Sequence, residues 1–232
     1  MMMFQFGKSE HVSVEHAGFA MISRIYRDWT ASIRPDAGIE RVTLDAVDFR
    51  GKPSAENVLF VRMKVRTKGK PFDQVVQLRG NSVGMLVILI VDDKRYTVLT
   101  QQTRLPTGGM LCELPAGMVD SGTFVGAAAK EIAEEVGFVF REQDLIPLSR
   151  EPIYLTPGLL DEAMQFFAIE HHLTQAELDD IVGRVTGVAE EGEVITLKVV
   201  PLDHTMHHAH AGRDAKAHIA LMLYGLHLHR AG

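Results

Sequence analysis

The sequence contains a single cysteine, Cys112, among its 232 residues, so no disulfide can form within the chain. Positive charge is also scarce, because 24 lysines and arginines against 30 aspartates and glutamates leave a net charge of −6. This balance argues against sequence-independent binding of nucleic acid, which usually requires a basic surface. The lack of a disulfide is consistent with a reducing compartment, and we expect a cytoplasmic protein.

Long apolar runs are missing as well. The longest, Val83 to Val91, has nine residues, whereas a membrane-spanning helix requires about 20. The N-terminal residues show no apolar segment followed by a cleavage site, so we expect neither an export signal nor a membrane partner. With 46% hydrophobic and 23% charged residues, the composition is that of an ordinary globular protein.

The first part of the chain, residues 1–75, is predicted to be rich in β-structure. Alternating apolar residues at 41–49 and 57–67 predict two strands of an N-terminal sheet. Near-helical spacing of apolar side chains at 19–29 favours a short amphipathic helix before them.

The pattern after residue 76 alternates between strands and helices. An apolar strand at 82–91 is predicted to form a hairpin with the strand that follows it, across a polar turn. Amphipathic spacing and capping residues predict three helices, at 124–136, 174–186 and 214–229. Strands that alternate with helices in a chain of this length indicate an α/β or α+β fold.

The helix predicted at 124–136 carries Glu131, Glu134 and Glu135 within one turn of one another. Their spacing places like charges side by side, which destabilises an isolated helix by roughly 0.2–0.5 kcal/mol per pair. A divalent cation would reverse this effect, and carboxylates grouped on a rigid helix suit Mg²⁺. A solvated acidic face without function is the alternative. The glycine-bearing loop at Ala116-Gly117, which precedes the helix, favours the metal site.

These residues resemble a Nudix box, whose pattern is a glycine, a loop, and then Arg-Glu-apolar-x-Glu-Glu-x-Gly-apolar. The matching residues are Ala116-Gly117 and, after the loop, Lys130-Glu131-Ile132-Ala133-Glu134-Glu135-Val136-Gly137-Phe138. The ELPAGM segment and the FVGAA start of the helix are similar to the branch that hydrolyses nucleoside diphosphate sugars, including ADP-ribose. The similarity extends over about residues 75–228, including the terminal Asp214-Ala215-Lys216 segment.

The sequence departs from the family pattern at three points. Lys130 stands where the family usually has arginine, and the stretch from Gly117 to Lys130 is one residue shorter than the common spacing. The loop glutamate of many members is absent, with Gly122 or Thr123 in its place. None of these departures removes a metal ligand, although a lysine cannot form the bidentate fork of an arginine.

The resemblance implies a set of metal ligands and a general base. Glu131 and Glu135 should bind Mg²⁺, or Mn²⁺ in its place. Glu134 is the next candidate for a metal ligand, and the backbone carbonyl of Ala116 should supply a further oxygen. In ADP-ribose-type relatives the base lies on a late loop, which here corresponds to residues 189–193. Glu193 fits the register best and Glu191 is the second choice.

The resemblance also implies residues that bind the substrate. Arg104 ends a predicted strand two residues after Gln102, and a guanidinium group there suits the oxygens of a pyrophosphate. An ordinary surface arginine is the alternative, and Arg79 is a weaker candidate of the same kind. The loop at 156–162 matches a family loop that shapes the substrate pocket, which implies contacts from Pro157, Gly158 and Glu162.

We therefore expect an α/β protein, a Nudix α/β/α sandwich at 76–232 preceded by an N-terminal β-rich dimerisation region at 1–75. The implied reaction converts a nucleoside diphosphate sugar, ADP-glucose-like, and water into a nucleoside monophosphate and a sugar 1-phosphate. An ADP-ribose pyrophosphatase is the alternative within this class. A non-catalytic nucleotide-sensing module on the same fold is the alternative from another class. The expected partners are a small-molecule nucleotide sugar and a second copy of the chain.

Overall fold

The structure is a computed structural model, and it describes residues 4–119, 122–187, 194–207 and 213–231. The chain forms two compact units. The first takes in the described residues up to Asn81 together with Tyr154–Ala163, and the second takes in the described residues of Ser82–Ile153 and of Met164 onwards. Among the described helices, none combines the length and the apolar character that a membrane crossing requires.

The first unit is a four-stranded sheet with two short helices. Its elements are β1 (Gln5–Lys8), α1 (Val14–Ile22), α2 (Arg24–Ser32), β2 (Ile39–Phe49), β3 (Val58–Thr67) and β4 (Gln74–Leu78), with the strands in the order β1-β2-β3-β4. The strands predicted at 41–49 and 57–67 are confirmed, since alternate residues such as Val42, Leu44, Val61 and Met63 are fully buried.

The helix expected at 19–29 is divided in two. Ser23 has an extended backbone, with φ −63° and ψ 154°, and it ends α1 and begins α2. Its hydroxyl accepts a hydrogen bond from the Tyr26 backbone N–H at 3.4 Å, which caps the second helix. Serine occurs both within helices and at helix N-caps, so the spacing of the apolar residues did not show that the helix breaks at Ser23.

The second unit contains a mixed sheet with helices. Its elements in chain order are β5 (Ser82–Val91), β6 (Lys94–Arg104), β7 (Gly109–Glu113), β8 (Ala116–Met118), α3 (Phe124–Glu131), β9 (Ile146–Pro147), β10 (Ile153–Tyr154), β11 (Ala163–His172), α4 (Gln175–Ile181), β12 (Val185–Thr186), β13 (Ile195–Pro201) and α5 (Ala215–Ala231). The strand order is β11-β5-β6-β13-β12, with β7 beside β6 and β8 beside β5. Strand β11 runs parallel to β5, whereas β5 and β6 form the expected antiparallel hairpin.

Strand β5 is covered on both faces. All ten of its residues are buried, and those with odd numbers belong to the same apolar core as Ala128, Ile132 and Val136. On the other face, the Tyr224 hydroxyl of α5 donates a hydrogen bond to Glu170, whose neighbour on β5 is Ile88. The sheet therefore lies between α3 and α5, which confirms the predicted α/β fold.

Two details of the second unit differ from the sequence analysis. The capping box at Thr174 begins α4 as predicted, but the helix ends at Ile181 instead of about residue 186. Gly183 then has a positive φ of 76°, and Val185–Thr186 pairs with β13 as a strand. Strand β11 was not predicted, because its first seven residues are all buried and it therefore lacks the alternation that marks a half-exposed strand.

Candidate active site

The predicted acidic helix changes its hydrogen-bond register where the glutamates lie. Helix α3 begins after Thr123, whose hydroxyl accepts a hydrogen bond from the Gly126 backbone N–H at 3.1 Å. Beyond Glu131 the chain continues as a π-helix, Ile132–Val136, and it ends at Gly137 with a φ of 82°. Because π turns widen the spacing of side chains and often occur at functional sites, this turn marks the glutamates as candidates.

Glu131 lies directly against Gly117. A Cβ atom at residue 117 would overlap the carboxylate of Glu131, so any larger residue there would displace it. Gly117 is not among the residues with a positive φ. The close approach of the Glu131 side chain, and not the backbone conformation, is therefore what requires a glycine at residue 117.

Glu135 reaches the neighbouring residue of the same strand. The backbone N–H of Ala116 donates a hydrogen bond to Oε2 of Glu135 at 3.1 Å. The Glu135 residue is only 5% exposed, and a buried carboxylate requires polar partners of this kind. Glu131 and Glu135, which are four residues apart along the helix, thus both face the Ala116–Gly117 backbone.

Glu134 has a different surrounding. Its Oε2 atom lies 3.3 Å from Nζ of Lys130, one helical turn earlier, and its side chain is 34% exposed. Lys130, which stands in place of the usual arginine, therefore forms an ion pair with the second glutamate of the motif. At such exposure the pair contributes roughly 0.3–0.5 kcal/mol to stability.

The arrangement fits a hard divalent cation. No group of three or more aspartate, glutamate, histidine or cysteine side chains in the described part of the chain could hold a metal ion by itself. Mg²⁺, however, usually binds one or two protein carboxylates and completes its shell with water and substrate phosphates. The carboxylates of Glu131 and Glu135 are oxygen donors of this kind, and both lie against the Ala116–Gly117 backbone.

The predicted phosphate-binding arginine is held by an ion pair that the sequence analysis missed. Nε of Arg104 lies 2.5 Å from Oε1 of Glu113, the glutamate that precedes Leu114 and Pro115. The second oxygen of Glu113 accepts a hydrogen bond from Nζ of Lys216. The sequence did contain a signal for these contacts. Glu113 is a charged residue within the apolar MLCELPAGM segment, and a buried carboxylate requires polar or cationic partners. Gln102 lies two residues before Arg104 on β6 and therefore on the same face of the sheet.

The remaining substrate candidates belong to the first unit. Nη1 of Arg79 lies 3.0 Å from Oε2 of Glu162, so these two predicted residues form an ion pair with each other. Pro157 and Gly158 line a cavity of about 380 Å³, in which Trp29 offers an aromatic ring. Glu191 and Glu193, the candidates for the general base, lie outside the described residues.

The family is decided by comparison with known proteins. The NUDIX domain profile matches residues 80–221, which is more than half of the chain. The chain belongs to the Nudix family. Nudix hydrolase 14, chloroplastic, from Arabidopsis thaliana is 30% identical, over an alignment that covers 88% of this chain and 71% of that protein. This chain is thus a Nudix hydrolase, a family that generally uses divalent metal ions.

Two further known proteins are similar to this chain, one in sequence and one in fold. A GDP-mannose pyrophosphatase from Yersinia pestis is 27% identical over 169 residues, which cover 70% of this Nudix chain and 79% of the relative. A solved structure described as an ADP compounds hydrolase superposes with a TM-score of 0.53 at 21% identity, covering 82% of this chain and 96% of that one. At that identity the second similarity concerns the fold alone, and it agrees with the mixed α/β architecture described above.

Proposed function

We propose that this Nudix hydrolase cleaves the pyrophosphate bond of a nucleoside diphosphate sugar, ADP-glucose-like, to a nucleoside monophosphate and a sugar 1-phosphate. The observation that carries the proposal is the approach of Glu131 and Glu135 to the Ala116–Gly117 backbone. The similarity to a GDP-mannose pyrophosphatase supports the substrate class. A nucleotide-sensing module is disfavoured, because it could lose the glutamates, whereas all three are present and two of them face one backbone segment.

The roles of the residues follow from their chemistry. Glu131, Glu135 and the carbonyl of Ala116 would hold Mg²⁺, or Mn²⁺ in its place. When bound, such an ion neutralises charge on the pyrophosphate and lowers the pKa of water. Arg104 donates to phosphate oxygens through its Nη groups, because Nε is already paired with Glu113. Glu193, with Glu191 as second choice, takes a proton from the attacking water.

A substrate panel with Mg²⁺ tests the proposal. It contains ADP-glucose, UDP-glucose, GDP-mannose, ADP-ribose and nucleoside triphosphates, and released nucleoside monophosphate is quantified by chromatography. We expect a sugar nucleotide to give the highest kcat/KM, and the Glu131→Gln variant controls for a contaminating hydrolase. A preference for ADP-ribose would select the alternative within the class. Hydrolysis of triphosphates alone, or of no compound, would reject the proposal.

We also propose that the protein is a cytoplasmic homodimer in which the N-terminal region, residues 1–75, contributes to the interface. In the first unit the large apolar residues Val14, Ile22 and Phe72 are more than half exposed. A second copy of the chain would remove such side chains from water, which is the main driving force of association. Closed two-fold symmetry is the commonest arrangement of soluble homo-oligomers.

A further inference from the structure

The ion pair between Arg104 and Glu113 is part of a larger buried cluster. The Glu113 side chain is 4% exposed, and its two oxygens have different cationic partners, Nε of Arg104 and Nζ of Lys216. The Lys216 side chain is 16% exposed, whereas that of Arg104 is 39% exposed. The cluster therefore has a buried end at Lys216 and an open end at Arg104.

The first turn of α5 is fixed to the same segment by a second contact. Oδ2 of Asp214 accepts a hydrogen bond from the backbone N–H of Leu114 at 2.8 Å, and Oδ1 accepts one from the Lys216 N–H at 3.1 Å. Nζ of Lys216 also lies 3.7 Å from Oδ1 of Asp214. Asp214 therefore contacts both the Leu114 backbone and Lys216, and it holds the start of α5 beside Glu113.

This arrangement limits how Glu113 can hold Arg104. With one oxygen occupied by Lys216, the carboxylate binds the guanidinium through Nε only, and the two Nη groups make no hydrogen bond to any residue within the described ranges. Without Lys216, both oxygens of Glu113 could bind the arginine in the bidentate form that guanidinium and carboxylate groups favour. The guanidinium would then turn, and an Nη donor would be withdrawn from the open side.

We propose that Lys216 is a positioning residue, which acts through Glu113 to keep the Nη groups of Arg104 directed at a substrate phosphate. The inference rests on the proposed function for the identity of that phosphate. A purely structural role, in which the cluster only attaches α5 to β7, is the competing explanation. It would lower the stability of the fold without changing kcat/KM of the folded enzyme.

A double-mutant cycle separates the two roles. Lys216→Met should lower kcat/KM for the best sugar nucleotide by roughly 10- to 100-fold, the range for misplaced catalytic groups and their supporting partners. In an Arg104→Met background the same change should alter kcat/KM by no more than about twofold, which is the usual scatter of independent effects. Lys216→Arg, which keeps a cation for Glu113, should restore most of the activity.

Arg213→Met provides the matched control. Arg213 is an exposed cation three residues before Lys216, and it forms no ion pair with any residue that the structure describes. Its replacement removes the same charge and should leave kcat/KM unchanged. If Lys216→Met does not fold, Lys216→Gln keeps a donor for Glu113 and takes its place in the cycle.

Binding of α,β-methylene-ADP, which cannot be hydrolysed at the bridge, distinguishes failure of this inference from failure of the proposed function. If the wild type cleaves no sugar nucleotide but Lys216→Met weakens analogue binding only when Arg104 is present, the positioning role stands and the function is wrong. Equal effects of Lys216→Met in both backgrounds would overturn the positioning role. If the wild type neither cleaves the panel nor binds the analogue, both are overturned.

Discussion

The carboxylate of Glu131 occupies the space that a side chain at residue 117 would require. The close contact joins strand β8 to the end of α3, and it places the first acidic residue of the motif beside the backbone that Glu135 also contacts. A glycine in this loop is therefore part of the site itself, because its missing Cβ makes room for a carboxylate.

Gly117→Ala should consequently lower activity on the order of 100-fold with little loss of folding. The added Cβ would displace the Glu131 carboxylate, and a displacement of about 1 Å can lower a rate on the order of 100-fold. Hydrolysis of the best substrate and a urea unfolding curve measure the two effects separately. Gly225→Ala is the control, since a Cβ there has open space within α5 and should stabilise the helix by up to about 1 kcal/mol. Full activity of Gly117→Ala would contradict the site geometry.

Replacement of Glu135 and of Glu134, one at a time, should distinguish a metal ligand from a residue that only forms an ion pair. Glu135→Gln keeps an acceptor for the Ala116 N–H but loses the charge, and we expect kcat to fall by more than the roughly 10- to 100-fold seen for outer-shell partners. Glu134→Gln loses the exposed ion pair with Lys130 and should have a smaller effect. Activity titrated with Mg²⁺ provides the measurement. The ligand assignment fails if Glu135→Gln keeps wild-type activity.

The sequence predicted the parts of the site that depend on spacing. Glu131, Glu134 and Glu135 share one turn because a helix has a fixed period, and Gly137 ends the helix because it can adopt a positive φ. The π register that follows Glu131 was not predictable, since it results from backbone packing and not from side-chain pattern. The partners of Glu113 were also missed, because Arg104 and Lys216 are 112 residues apart and only the folded sheet brings them together.

The ion pair of Arg79 with Glu162 illustrates the same limit. Each residue was predicted to contact the substrate separately. No local sequence pattern links Arg79, just after β4, with Glu162, 83 residues later, so their ion pair was not predictable. Strand β11 escaped prediction for a different reason, because burial on both faces removes the alternation of polar and apolar residues.

The general base should be identified by its pH profile. Glu193→Gln should lower kcat by about 10²- to 10⁴-fold with little change in KM or in the concentration of Mg²⁺ required. The residual rate should also lose the fall at low pH that protonation of a carboxylate base produces. If Glu191→Gln shows this behaviour and Glu193→Gln does not, the base lies two residues earlier.

If the protein is a dimer, its mass in solution should be that of two chains, and its solubility and activity should depend on the N-terminal region. Light scattering at micromolar concentration should give about twice the chain mass of 25.7 kDa. Deletion of residues 1–72 should yield insoluble or inactive protein even though the acidic motif remains, because the buried Leu78 of β4 would lose the strand that pairs with it. A stable, active and monomeric truncation would show that the N-terminal region is an independent appendage.

The burial of Asp161 should make the stability of the protein depend on pH. Its Oδ1 accepts hydrogen bonds from the backbone N–H groups of Arg79 at 2.7 Å and Gly80 at 3.2 Å. Burial raises the pKa of this carboxyl above its ordinary value, and the two hydrogen bonds offset only part of that effect. An asparagine would keep the acceptor without the charge, whereas an alanine would leave both N–H groups without their partner.

The sign of the pH effect follows from the raised pKa. Between the ordinary aspartate pKa of about 4 and the raised value, the folded state binds more protons than the unfolded state, so this residue lowers stability as the pH rises. Asp161→Asn removes that contribution. The free energy of unfolding of this variant, relative to that of the wild type, should therefore increase as the pH rises above 4. Asp161→Ala should be less stable than Asp161→Asn by about 1–3 kcal/mol at every pH, because two backbone donors lose their acceptor. Urea unfolding of the three proteins from pH 4 to 8 provides the measurement, and equal stability of the two variants would show that these hydrogen bonds do not hold the loop at Asp161 to the end of β4.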